Sequence, residues 1–272
     1  MDIFAYDFLR HALAAALLAS IACGVIGTLV VANRLVFLAG GVAHAAYGGV
    51  GMALHWGLPV LPCTVGFSLA ASLLMGHIAQ HKADKADAII GVLWAAGMAF
   101  GILLIDLTPG YKADLMSFLF GSILAVPVED LLLMAGVDAL LLTLVAASHQ
   151  TLLVTSFDRD FAEARGLPVR TAYLLMVGMT AVAVVMLIRV VGLVLVMALL
   201  TIPPFIAMRN ARSLPGMMLK ATGWSLTFCL AGLWLAFRLD LSSGGAIIAA
   251  ATAGFALSSA WEALRKHRGT TA

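Results

Sequence analysis

Two histidines stand out, because the stretch that holds them is otherwise almost without polarity. His44 and His55 are eleven residues apart, close to three helical turns, so on a helix both point roughly one way. Gly40, Gly41, Gly48, Gly49 and Gly51 run through the same stretch. Glycine at that density lets helices approach closely, and it permits bending or unwinding where a segment lines a cavity. Neutral imidazole is a common metal ligand, and an ionisable group at membrane depth is a functional-site candidate by default. The competing reading is structural. In it His44 hydrogen-bonds a neighbouring helix, and His55 lies in the headgroup region beside Trp56.

Other polar groups carry weaker signals. His77 and His81 share one helix face through i, i+4 spacing, as zinc-binding helices use. The glutamate of an HExxH motif is missing, because Ile78 follows His77. They read better as interfacial polar residues than as ligands. Asp106, Asp114, Glu129, Asp130 and Asp240 fall near segment ends, as solvated residues or cation attractors. Asp138 falls inside an apolar segment, where it faces a cavity or pairs with a basic group. No GxxxxGK[ST] phosphate loop, GxSxG elbow or TVGYG filter occurs, so the chain does not hydrolyse ATP by the phosphate-loop route.

These groups are held by an unusual chain. Hydrophobic residues make up 62% of its 272 residues and charged residues 11%. A soluble domain averages about 45–50% and about 25%. The composition excludes a water-soluble globule and a disordered chain. Continuous apolar runs without period-2 alternation argue against a β-barrel. Apolar segments lie near 8–31, 35–56, 59–79, 88–106, 129–148, 171–188, 190–208, 217–237 and 241–261. A span needs about 20 apolar residues. The expectation is one transmembrane domain over 1–272, an all-α polytopic bundle of eight to nine spanning helices. The stretch 107–128 opens with the turn signal Thr108-Pro109-Gly110 and continues at 118–126 as an apolar run too short to span. It reads as a re-entrant or interfacial helix.

Arg34, the pair Lys82 and Lys85, the trio Arg159, Arg165 and Arg170, the pair Arg209 and Arg212, and the tail from Arg265 occupy alternate connections. Positive charge marks the cytoplasmic side. That places the C-terminus inside and, with nine crossings, the N-terminus outside, in a plasma (inner) membrane and its lipid. The first segment reads as a retained helix, because Asp2, Asp7 and Arg10 replace a basic signal-peptide start. Cys23, Cys63 and Cys229 stand alone in apolar runs and form no disulfide framework. The net charge of +2 is not clustered, and no nucleic-acid partner is expected.

Two polar stretches could dock a cytoplasmic partner. Around Phe157 to Pro168 a short charged helix is expected, capped by Asp158, carrying Phe161 and ended by Gly166 and Pro168. The alternative is an amphipathic linker. Pro203-Pro204 is expected to break the seventh segment, and the basic turn Arg209-Asn210-Ala211-Arg212 follows it.

The chain resembles the permease subunits of ABC-type metal importers, which carry zinc, manganese or iron(II). The resemblance lies in Asn33-Arg34 through His44 and Gly51, in Leu119 to Leu124 before Asp130-Leu131, in Phe157-Asp158 with Ala164-Arg165-Gly166-Leu167, in Val191-Gly192 through Pro203-Pro204, and in Leu241 to Ala246. It implies the type II importer permease fold. It also implies a second permease subunit, here a homodimer, a cytoplasmic ATPase dimer that uses ATP, and an extracytoplasmic solute-binding protein. The chain would then have no ATPase site and no permanent cofactor, and would pass a divalent metal ion along His44 and His55. Arg209, Asn210 and Arg212 would be the principal ATPase-coupling surface, with Asp158, Phe161 and Gly166 packing beside it. Many relatives carry Asp four residues before the helix-two histidine, where this chain has Gly40. Loss of that hard oxygen places zinc ahead of manganese and iron.

Two other classes compete. A secondary transporter driven by an ion gradient would need paired mid-membrane acids, and Asp138 stands alone. An intramembrane enzyme would need a nucleophile and base, and no such spacing is visible.

Overall fold

The computed structural model describes residues 7–109, 121, 123 and 126–269. Asp114 and the expected interfacial helix at 118–126, apart from Gly121, Ile123 and Val126, lie outside the described residues. Eleven α-helices and no strand occur among the described residues. They are α1 (Asp7–Ala32), α2 (Val36–Trp56), α3 (Val60–His81), α4 (Ala86–Asp106), α5 (Val128–Ala147), α6 (His149–Phe157), α7 (Arg159–Ala164), α8 (Val169–Val191), α9 (Leu193–Met208), α10 (Leu214–Leu239) and α11 (Ser243–Gly269).

Each apolar segment of the sequence is one helix. In hydrocarbon every backbone amide must be satisfied within its own segment, and a helix does that. Seven helices, α1 to α5, α8 and α11, are long and apolar enough to cross a membrane. The 16-residue α9 and the 26-residue α10 occupy the other two apolar segments. The chain is thus an all-α polytopic bundle. Burial separates its layers. The most apolar windows of α1, α2 and α8 are 72% buried, those of α3 to α5 only 22–28%, and that of α11 11%. The first set forms the centre, and the second presents apolar faces to lipid or to other subunits.

Three hydroxyls at the centre are satisfied within their own helices. Ser20 Oγ donates to the Ala16 carbonyl at 2.6 Å, Thr28 Oγ1 to Gly24 at 2.6 Å, and Thr180 Oγ1 to Met176 at 2.8 Å. Such back-bonding removes the hydroxyl's cost in an apolar medium.

Pro203 and Pro204 correct one expectation. They do not break the segment, because α9 runs unbroken from Leu193 to Met208. Pro204 cannot donate to the carbonyl four residues earlier, that of Leu200. That oxygen faces Gly27 of α1, where a Cβ would lie 2.7 Å from it. Only a glycine at position 27 leaves room for the freed carbonyl to approach α1 this closely. The true break lies earlier, at Gly192, whose φ of 84° separates α8 from α9.

The basic connections gather at one end. Asn33 Nδ2 donates to Ser156 Oγ at 2.9 Å, joining the α1–α2 turn to α6. Arg170 Nη2 donates to His77 Nδ1 at 3.3 Å, joining α8 to α3. Val31 and Ala211 pack on the buried cluster of Ala207, Met217 and Ala221 around the α9–α10 turn. At the opposite end the Arg189 guanidinium pairs with Asp130 at 2.8 Å.

Candidate functional site

The α2–α4 contact positions the central histidine. A Cβ on Gly97 would sit 3.1 Å from Ala45 Cα, and Gly51 and Gly101 face each other with no room for a side chain. Small residues bring the two helices to near backbone contact, as the glycine density of α2 anticipated. The stretch does not unwind, because α2 is continuous from Val36 to Trp56. At this spacing the His44 imidazole stacks on the Trp94 indole, centroids 4.3 Å apart and planes 19° from parallel. Phe37 leans on the far part of Trp94 at 6.0 Å. His44 Nδ1 is buried without a hydrogen-bond partner.

The ring borders a cavity of about 920 Å³ between α2, α4 and α9. Gly40, His44, Trp94, Met197 and Phe205 line it, and Arg34 and Asp87 stand at its basic-end mouth. His44 lies about 12 Å along α2 from Val36, so the cavity reaches more than a third of the way through the bundle. Gly40 is one turn nearer the mouth. Its missing side chain leaves space that Met197 fills, with Cε 3.2 Å and Sδ 4.0 Å from where a Cβ would be. The donors along the wall are therefore an imidazole, the thioethers of Met197 and Met208, and the Asp87 carboxylate. No three His, Cys, Asp or Glu side chains form a metal-sized group among the described residues. Such a wall can pass a cation through sparse, weak contacts, which suits a path that must also release it.

The structure does not bring His55 to His44. His55 lies in the last turn at the opposite end of α2, where Nδ1 lies 3.3 Å from Thr108 Oγ1 and the ring meets Trp56 edge-on at 5.6 Å. His77 and His81 do meet, with ring centroids 4.3 Å apart. His81 Nδ1 donates to the His77 carbonyl at 2.8 Å, and His77 Nδ1 accepts from Arg170. A guanidinium on that ring opposes a second cation, so the pair reads as a polar surface cluster. Asp138 is 6% exposed and does not line the cavity, and its Oδ2 has no partner.

At the basic end, Asp158 Oδ1 accepts from the Phe161 amide at 2.9 Å and caps α7, as its position before the short helix anticipated. Asp158, Phe161 and Gly166 are exposed, and Gly166 ends the helix with a φ of 72°. The helix α7 packs on α6 and α8. Asn210 and Arg212 are exposed. Arg209 instead turns toward α11, where its guanidinium lies 3.3 Å from Glu262. Trp94, Met197 and Phe205 escaped the sequence reading. The one signal was the depth of Trp94, inside α4 rather than in an interfacial belt.

The ABC 3 transport family matches residues 5–262. A membrane protein of Synechocystis sp. described as uncharacterised, slr2045, is 47% identical over 256 residues, covering 94% of this chain and 91% of that protein. The manganese transport system membrane protein MntC of Halalkalibacterium halodurans is 32% identical over 256 residues, covering 94% and 88%. Among solved structures, PsaBC from Streptococcus pneumoniae in complex with Fab superposes with a TM-score of 0.84 at 29% identity, covering 94% of this chain and 92% of that one. A family match over nearly the whole chain, with relatives that align over more than nine-tenths of it, shows that the chain belongs to the ABC 3 transport family.

Proposed function

We propose that the chain is the permease subunit of an ATP-driven importer for a divalent transition metal ion. The observation that carries this reading is the cavity ending at the His44–Trp94 stack, in a family member whose relatives include metal transport proteins. The basic end faces the cytoplasm by the positive-inside rule. Two copies of the chain, a cytoplasmic ATPase dimer and an extracytoplasmic binding protein complete the machine. The described residues of one chain form no cage of His, Cys, Asp or Glu ligands, so the second copy supplies the facing wall of the path. ATP is bound and hydrolysed by the partner subunits. Their closure shuts the cytoplasmic mouth near Arg34 and Asp87. Asn210, Arg212, Asp158, Phe161 and the backbone at Gly166 meet them.

The ion enters at the His55 end, passes His44 and leaves by the mouth. Imidazole and thioether donors favour zinc or iron(II) over manganese. Manganese is the second reading, favoured by relatives named for it. The deciding experiment is uptake of radiolabelled zinc, manganese and iron(II) by cells with and without the gene. A selective fall in one metal identifies the cargo, and no change in any of them refutes metal import.

Position 40 should tune that choice. A Cβ there meets only the flexible methyl of Met197, so Gly40→Asp fits with a small shift of that side chain. The new carboxylate lies one turn from His44. It is expected to move the zinc-to-manganese uptake ratio toward manganese by about 10-fold. An unchanged ratio removes position 40 from ion selection.

Asp138 separates this reading from a gradient-driven carrier. It packs away from the cavity, so Asp138→Asn is expected to leave uptake unchanged. Loss of uptake, together with transport that persists when ATP hydrolysis is blocked, would favour the carrier.

A further inference from the structure

Arg209 ends α9 and opens the turn to α10, yet its guanidinium points away from the turn's exposed surface. Nη1 donates to Ser258 Oγ at 3.2 Å and lies 3.3 Å from the Glu262 carboxylate. Nη2 donates to Ser259 Oγ at 3.0 Å. The guanidinium carbon sits 5.2 Å from the Phe205 ring centre and 5.5 Å from that of Phe255. Those two rings are themselves in contact, with centroids 5.8 Å apart. Three polar groups of α11 and two aromatic rings thus hold one planar cation. Only a guanidinium can make several hydrogen bonds in its plane while stacking on rings above it.

Phe205 gives this cluster its consequence, because the same ring lines the cavity below His44. Met208, one turn further along α9, lines it too. The helix α11 also packs on α10, with Ile247 against Gly232 and Gly254 against Phe228, but Arg209 is the ion-pair anchor that ties it to the end of α9. We propose that Arg209 is a positioning residue that clamps the basic end of α9 to α11 and holds Phe205 in the cavity wall. Movement of the neighbouring Asn210–Ser213 turn then reaches the ion path as a shift of that wall. Arg209 transmits the ATPase stroke and does not touch the ATPase. The inference rests on the importer-permease reading.

The test uses the full complex of permease, ATPase and binding protein in sealed vesicles, with zinc and manganese each supplied as the probe. Metal ions taken up per ATP hydrolysed are measured for wild type, Arg209→Lys, Glu262→Gln and Phe205→Leu. All three variants are expected to co-purify with the ATPase and to hydrolyse ATP. Their ions per ATP are expected to fall at least about fivefold, because lysine keeps the charge but loses the fork and the stack. Combining Arg209→Lys with Phe205→Leu should cost no more than either alone, as links in one chain do. A merely structural role would lower thermal stability without changing ions per ATP. Unchanged ions per ATP in assembled Arg209→Lys overturns the proposal. So does loss of the ATPase from that variant alone, which would make Arg209 a docking residue. Should Arg209→Lys fail to fold, so that no intact permease is recovered at all, Glu262→Gln decides by the same readout. Failure of the parent reading looks different, because then wild type itself takes up no metal, and the clamp falls with it.

Discussion

Replacing His44 by alanine is expected to reduce metal uptake at least about 10-fold, the loss usual when a group that orients or binds a metal ion is removed. The complex should still assemble. The stack on Trp94 contributes about 0.5–1.5 kcal/mol beyond area burial, a small part of the roughly 5–15 kcal/mol that holds a protein folded. His44→Phe separates chemistry from packing. Phenylalanine keeps a ring against Trp94, 4.3 Å away in the native stack, but offers no nitrogen to a cation. It should therefore transport as poorly as His44→Ala while melting closer to wild type. Normal uptake by His44→Phe would show that the ring matters only as packing, and His44 would leave the mechanism.

The second large effect concerns Gly101. A Cβ there would collide with the carbonyl of Tyr47 and the amide of Gly48, and one on Gly51 would collide with Gly101 in turn. The obstacles are backbone atoms, so no rotamer change relieves them. Overpacking against side chains costs about 1–3 kcal/mol, and here the helices themselves must separate. Gly101→Leu is expected to lower Tm sharply and to abolish uptake, because α2 and α4 carry His44 and Trp94. Gly136 is the control. A Cβ there meets nothing within 4 Å. Gly136→Leu should behave as wild type, since leucine is the better helix former by about 0.8 kcal/mol. Thermal melts of both purified variants, in one detergent, decide the matter. Equal melting would mean that the α2–α4 contact does not limit stability.

The architecture was legible because membrane physics leaves few choices. A run of apolar residues long enough to span hydrocarbon must be a helix, so the apolar segments became α1 to α5 and α8 to α11. Local signals at the polar ends held for the same kind of reason. Asp158 caps α7 and Gly166 takes a left-handed φ, each through atoms a few residues apart. The proline pair misled because its effect depends on a partner. Whether Pro203-Pro204 ends a helix turns on what faces the freed Leu200 carbonyl, and that is Gly27, far away in the chain.

The candidate site divides along the same line. Composition and basic-residue placement determined that this is a multi-pass membrane protein, and glycine density with a lone mid-span imidazole marked α2 as the helix to watch. Both are properties of one segment in one solvent. Tertiary structure alone decided that Trp94 stacks on His44, that Met197 fills the space beside Gly40, and that Arg209 is gripped by α11. Inside uniformly apolar helices every face looks alike in sequence. Which faces meet is settled by where small residues let backbones touch, and that depends on all the helices together.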